Sequence, residues 1–170
     1  MPFRFRTLAL TVALAVAPLA ITPEAVRAQE SGIAVGAQAP TVVLESLDGA
    51  AVDLAQFIGK KPVVLEFWAS WCGNCKQLEP RIDAAHKKYG QQVEFIGVAV
   101  SVNQTADRVK RYAERYKLPM RMLYDRKGLA SDAYDVPATS YIVVIDRTGK
   151  VVYTGAGGTQ DIDAAVRKGM

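Results

Sequence analysis

The stretch "EFWASWCGNCKQLEP", Glu66 to Pro80, is where the hydrophobic period of the chain changes, and it holds both cysteines. Before it, "PVVLEFW" (Pro62–Trp68) is a nearly continuous apolar run, the pattern of a strand covered on both faces. After it, Cys75, Leu78, Ile82, Ala85 and Tyr89 recur at steps of three and four, the stripe of a helix with one buried face. A buried strand feeding straight into an amphipathic helix, with Cys72 and Cys75 at the turn, restricts the fold to a layered α/β architecture.

Three chemistries compete for the two sulfurs. A structural disulfide here closes a very short loop, and chain-entropy stabilisation grows with loop length. A tetrahedral metal site needs about four ligands, and the only further soft candidate is His86. A redox dithiol suits the spacing best. Cys72 at a helix N-terminus faces exposed N–H groups that favour a thiolate, and Cys75, one turn on, can resolve a mixed disulfide. Glu66, six residues before Cys72, belongs to the buried run, where a charged carboxylate is expensive and its pKa rises. Such a carboxyl can take and return the Cys75 proton. The competing reading of Glu66 is a solvent-facing side chain at a strand edge. Trp68 reads as core and His86 as a partly exposed surface histidine.

The rest of the chain reads as alternating strands and helices. A hairpin is expected around Asp48–Gly49, then a short helix near Leu54–Phe57. "VEFIGVAVS" is a second buried strand, followed by a helix capped by Thr105 with a stripe of Val109, Tyr112, Ala113 and Tyr116. "RMLYD" is a short strand and "GLASDAYDV" a short helix or turn. "YIVVIDRTGKVVYTG" is a hairpin, and Thr159 to Lys168 a closing helix with acids early and bases late. At the other end, residues 1–28 combine Arg4 and Arg6, an apolar run from Leu8 to Ile21 and a small-residue exit. This is the pattern of a cleaved signal peptide, with residues 29–170 as a single domain. Export to the periplasm or another extracytoplasmic space, without stable membrane insertion after cleavage, is the expectation. The whole chain has a formal net charge of only +4, with no block of like charge, so nucleic acid is not an implied partner.

"FWASWCGNC" resembles the active-site motif of the thioredoxin superfamily, with Pro80 at that family's helix kink and Glu66 at its buried acid. The lead-in "GAQAPTVVL…LDG…DL…GKKPVVLEFWASWC" and the segment "EFIGVAVSVNQTADRVKRYAERYKLPMRMLYD" are similar to the TlpA/ResA-like branch of exported thiol–disulfide oxidoreductases. The resemblance implies a thioredoxin fold, three layers α/β/α around a central mixed sheet, with an N-terminal β-hairpin extension and an inserted strand–helix segment. It also implies dithiol–disulfide exchange with protein thiol or disulfide substrates, such as apocytochromes c or copper-site cysteines. A membrane thiol reductase would be the electron donor, and no cofactor or metal is implied. Cys72, Cys75 and Glu66 would be catalytic. Trp71, Gly73, Asn74, Thr139 and Ser140 would bind substrate.

Three other readings compete with this one. A peroxiredoxin-like thiol peroxidase would want a Thr-x-x-Cys motif, and Ala69 holds the threonine position. A copper chaperone would want a wider cysteine spacing and a distant histidine. A dithiol oxidase differs only in direction, and the uncharged Gly73–Asn74 pair favours the reductase.

One departure stands out. The family carries a cis-proline immediately before the strand of the closing hairpin, and here that residue is Ser140, with Pro137 three positions too early. A cis bond to a non-proline residue costs about 3–4 kcal/mol, so a trans Thr139–Ser140 bond is expected. The Ser140 hydroxyl and N–H should then donate to a Cys72 thiolate, and the loop should be looser than one held by proline.

Overall fold

A computed structural model describes residue 1 and residues 32–170. The expected signal peptide over residues 1–28, and the first residues of the expected domain, lie outside the described residues. Among those described, no helix is long and apolar enough to cross a membrane.

Seven strands form one mixed sheet in the order β2-β1-β5-β4-β3-β6-β7. The expected buried run is β3 (Val63–Trp68), all six residues buried. It pairs in parallel with β4 (Glu94–Val100) and antiparallel with β6 (Tyr141–Ile145). Flanking β4 is β5 (Arg121–Asp125), again parallel, and β7 (Val151–Ala156) closes one edge against β6. The hairpin expected around Asp48–Gly49 is β1 (Val43–Ser46) with β2 (Ala51–Asp53), and β1 joins it to β5. A 3₁₀ turn, Leu54–Gln56, follows, started by the Asp53 side chain accepting from the Ala55 N–H.

Strand alternation divides the core. Val63, Leu65 and Phe67 enter one hydrophobic cluster with Leu54, Ala130 and Tyr134. Val64 faces the other way, under the long helix α1 (Gly73–Tyr89) and the closing helix α4 (Ile162–Arg167). Helix α3 (Leu129–Ala133) belongs to the first side, with Tyr134 completely buried just beyond its last turn. These are the three layers expected, and the fold is thioredoxin-like. Because side chains alternate along a strand, Glu66 and Trp68 share the face of Val64 and look toward α1.

The second helix, α2 (Ala106–Tyr116), departs from expectation. Thr105 caps it through the Arg108 N–H, but of the expected stripe only Val109 is fully buried. Tyr112 and Ala113 are half-buried and Tyr116 is 49% exposed. The helix is peripheral, held through an aromatic ladder in which Trp68 and Tyr112 ring centroids lie 5.6 Å apart and Tyr112 and Tyr116 lie 4.5 Å apart. Such a ladder buries faces of the rings and leaves their far edges wet.

Gly97 on β4 sits directly beneath this ladder. A Cβ there would lie 2.9 Å from the Trp68 Nε1 and 2.6 Å from the Met122 sulfur. Met122 can swing aside, but the indole is fixed by packing. Gly97→Ala should therefore lower stability by about 1–3 kcal/mol through overpacking. Urea titration would check this, and a loss within error of zero would mean that Trp68 is free to move.

Candidate active site

The turn between β3 and α1 is built from the cysteines themselves. Cys72 is the N-cap of α1, in extended conformation, and its sulfur accepts a hydrogen bond from the Cys75 N–H at 3.0 Å. A sulfur takes the place usually held by a capping serine or aspartate, at the positive end of a seventeen-residue helix. Cys72 and Cys75 are joined in a disulfide with Cα atoms 5.3 Å apart, and both are buried in the oxidised state. Trp71, by contrast, is 42% exposed, its indole N–H tied to the Val102 carbonyl at 2.8 Å. Gly73 and Asn74 are exposed in the first turn of α1.

Other segments hold this turn in place. Gln104, buried after β4, accepts from the Ser70 N–H at 2.9 Å and donates to the Val100 carbonyl at 2.6 Å. Tyr124 donates to the Gln104 carbonyl. Beyond β7, Gly158 lies so close to α1 that a Cβ on it would fall 2.8 Å from the Asn74 carbonyl oxygen. Its own carbonyl accepts from Arg81 at 3.0 Å.

The two sulfurs are distinguished by what lies behind them. Cys75, and not Cys72, lines a cavity of about 350 Å³ together with Glu66, Trp68, Glu79 and Met120. The exposed Pro80, Tyr116 and Lys117 also line it, so the cavity reaches the surface. Glu66 is only 3% exposed, which rules out the strand-edge reading. Its Oε1 has no hydrogen-bond partner among the described residues. Burial, reinforced by the negative charge of Glu79, pushes its carboxyl up to about 8. The Tyr112 hydroxyl donates to Glu79 at 2.7 Å, and burial together with that bond holds the phenol well above its ordinary range.

Glu79 and Tyr112 were not among the sequence candidates. The available signal was that Glu79 stands four residues after Cys75, one turn along the same helix. Gln104, in an unpatterned loop, offered none. Trp68 is core and His86 half-buried, edge-on to Phe95, as expected. Among the described residues no cluster of three or more His, Cys, Asp or Glu side chains is arranged to hold a metal ion.

Ser140 corrects part of the sequence reading. The pairing of Phe67 with Tyr141 puts it beside the end of β3, at the edge from which the cysteine turn leaves, with Thr139 half-buried next to it. Its peptide bond is trans. Its N–H, however, donates to the Phe67 carbonyl at 2.8 Å and is therefore not offered to the Cys72 sulfur. The buried hydroxyl has no partner among the described residues. Nor is the loop loose, because the Ser140 carbonyl accepts from both the Gly157 N–H and the Gln160 side chain, each at 3.1 Å. What stands in place of the family's rigid proline is a residue held at φ +65° by backbone bonds on both sides.

A CxxC disulfide capping a helix, backed by a buried carboxyl on the neighbouring strand of a thioredoxin-like sheet, defines a protein-disulfide oxidoreductase. Residues 34–167 match the Redoxin family model, and the chain belongs to that family, in its ResA-like thiol–disulfide oxidoreductase branch. It is 34% identical over 137 residues to the thiol-disulfide oxidoreductase ResA of Geobacillus thermodenitrificans, covering 79% of this chain and 77% of that one. It is 33% identical over 124 residues to the thioredoxin-like protein YneN of Bacillus subtilis, 72% of each chain. Among solved structures it resembles one from Chlorobium tepidum described as a thiol:disulfide interchange protein DsbE. The TM-score is 0.69 and the identity 26%, over 80% of this chain and 94% of that one.

Two predictions follow from the site's electrostatics and backbone. A carboxyl raised from 4.5 to about 8 binds more protons folded than unfolded across that window. Stability is therefore greatest below about pH 4.5 as far as this group is concerned, and falls as pH rises toward 8, by at most about 1.4 kcal/mol per unit. Glu66→Gln should flatten that slope in urea titrations at several pH values, and a slope equal to wild type would place the pH dependence elsewhere. At Ser140, proline locks φ near −65° and lacks the N–H, so Ser140→Pro should cost about 3 kcal/mol or more. Ser140→Gly should be neutral or stabilising, since glycine takes positive φ freely. Thermal unfolding of the pair checks this, and a proline variant as stable as wild type would refute it.

Proposed function

We propose that the chain is an exported disulfide reductase acting on protein substrates, with Cys72 as attacking thiol, Cys75 as resolving thiol and Glu66 as the proton acceptor for Cys75. The observation that carries this is the asymmetry of the pair: Cys72 caps the helix, while Cys75 shares a buried cavity with Glu66.

The reaction balances as follows. The Cys72 thiolate attacks one sulfur of a substrate disulfide, and the displaced substrate thiolate takes a proton from water. Cys75 passes its proton to Glu66, becomes a thiolate and attacks the Cys72 sulfur. The second substrate thiolate leaves and is protonated, and the Cys72–Cys75 disulfide forms. Two electrons have moved from the chain to the substrate. A carboxyl titrating near 8 is close in basicity to a thiolate, so its ionised form takes the Cys75 proton and the protonated form that results gives it back to water. The cavity gives it a water route to the surface. Trp71, with Gly73 and Asn74 beside it, presents the accessible surface on which a substrate chain can lie, and Thr139 and Ser140 flank the same edge.

The uncharged Gly73–Asn74 dipeptide and the ResA likeness support reduction over oxidation. Cysteines of apocytochromes c or of a copper site are the proposed substrates, and a membrane thiol reductase the electron source. An extracytoplasmic location rests on the residue pattern of 1–28.

Cys75→Ser should accumulate mixed disulfides through Cys72, and mass spectrometry of the captured partners identifies the substrates. Capture through Cys75 in the Cys72→Ser variant instead would reverse the roles. In parallel, Glu66→Gln should slow resolution of a mixed disulfide by about 10²–10⁴-fold and remove a rate increase centred near pH 8. An unaltered rate and pH profile would leave Glu66 a structural residue only.

A further inference from the structure

Beside the cysteine turn lies a groove of about 450 Å³ whose lining is cationic: Lys76 from α1 and Arg108, Arg111 and Arg115 from α2, with Tyr112 between them and Ser70 on the cysteine turn itself. We infer that this groove is a docking surface for an acidic polypeptide segment flanking the substrate's cysteines, so that charge selects which disulfides reach Cys72. The inference rests on the oxidoreductase reading for its purpose, and on the following observations for its existence.

The four cations are exposed, and among the described residues none forms an ion pair. Several other surface bases are differently placed: Lys61 and Arg121 share Glu94, Arg126 meets Glu45, and Lys88 meets Asp163. Helix α2 itself segregates its charges. At 100° per residue, Arg108, Arg111 and Arg115 fall within an arc of about 60°. Asp107, Glu114 and Lys110 lie together to one side of that arc, where Lys110 reaches Asp48 at 2.6 Å. The helix thus spends its acids away from the groove. Lys76 adds a fourth cation in the first turn of α1, where the helix dipole disfavours positive charge.

The aromatic ladder orders these cations. Lys76 lies 5.9 Å from the Tyr112 ring centroid and Arg115 lies 5.5 Å from that of Tyr116, so two of the four are held near their rings. Ser70 is 6% exposed, and its Oγ has no hydrogen-bond partner among the described residues. It offers a hydroxyl donor two residues before Cys72. Guanidinium groups and a hydroxyl suit carboxylates. The domain's overall charge is small, so the selectivity is local. Its range is short at physiological ionic strength, where the screening length is about 8 Å, and only residues close to the reacting cysteine are selected.

The experiment compares two synthetic peptide disulfides, one flanked by glutamates and one by lysines, with the neutral bis(2-hydroxyethyl) disulfide. Cysteine-free versions of the two peptides report binding by fluorescence anisotropy. The reduced wild-type protein should reduce the acidic peptide at least about tenfold faster than the basic one at low salt, with the advantage shrinking as salt is added. The double variant Arg111→Glu/Arg115→Glu should lose or invert that preference, while its rate with the neutral disulfide stays within about twofold of wild type. Arg111→Gln/Arg115→Gln should fall between. Equal rates for the two peptides, or an unchanged preference in the double variant, would overturn the surface while the neutral disulfide still reports working redox chemistry. Selective binding of the acidic peptide without turnover of any disulfide would uphold the surface and overturn the redox reading instead. Vesicles of phosphatidylcholine and phosphatidylglycerol complete the test. Binding to them that the double variant loses, with peptide rates unmoved, would assign the cations to a lipid surface and refute the proposal.

Discussion

Everything in the site depends on how β3 passes into α1. The strand is covered on both faces, so its backbone direction and the facing of each side chain are fixed by packing that no single residue can relax. That rigidity delivers the chain to Cys72 in the extended conformation a helix cap requires, and the Cys72 sulfur takes up the Cys75 N–H. The capping bond and the redox centre are the same atoms. A helix start usually needs an oxygen side chain to satisfy its free N–H groups; here the sulfur does so, and its negative charge as a thiolate makes the cap stronger.

The same strand sets the environment of Glu66, on which the proposed proton chemistry rests. Period-two alternation turns Glu66 toward α1 along with Val64 and Trp68, and the helix covers it. Desolvation raises its pKa, and Glu79 on the covering helix adds to the effect. A carboxyl pushed into the range of a thiol is matched to exchange protons with one. The cavity matters equally, because a sealed Glu66 could not re-equilibrate with water between cycles. Tyr112 keeps Glu79 in place at that cavity, and the aromatic ladder that includes it also carries the cationic face of α2. The proposed proton handling and the proposed partner selection therefore share one peripheral helix.

At Ser140 the family's usual device is absent, yet the edge is not left slack. Hydrogen bonds from its N–H to β3, and to its carbonyl from the Gly157 and Gln160 segment, substitute for the stiffness of a proline ring. The cost moves from a peptide-bond isomer to a positive φ on a residue with a side chain. Ser140 thus supports the site through its backbone.

The sequence alone determined the order of elements, the buried strand, the helix stripe from Cys75 to Tyr89 and the two sulfurs at the junction, because each is written in local periodicity and spacing. It determined that Glu66 was unusual, since a carboxylate in a continuous apolar run conflicts with its surroundings. It misjudged α2, whose four apolar positions suggested a buried stripe, because burial depends on how far a helix sits from the sheet and not on its own period. It misjudged the Ser140 N–H, because donor availability depends on which strand lies alongside. Gln104, Glu79 and Tyr112 came into the site only through folding, over separations of about 34, 13 and 46 residues from Ser70 and Glu66. The grouping of Lys76 with three arginines is of the same kind. Each helix specifies its own charged face, but only the packing of α2 beside α1 turns two faces into one groove, because proximity between distant segments is a property of the closed core.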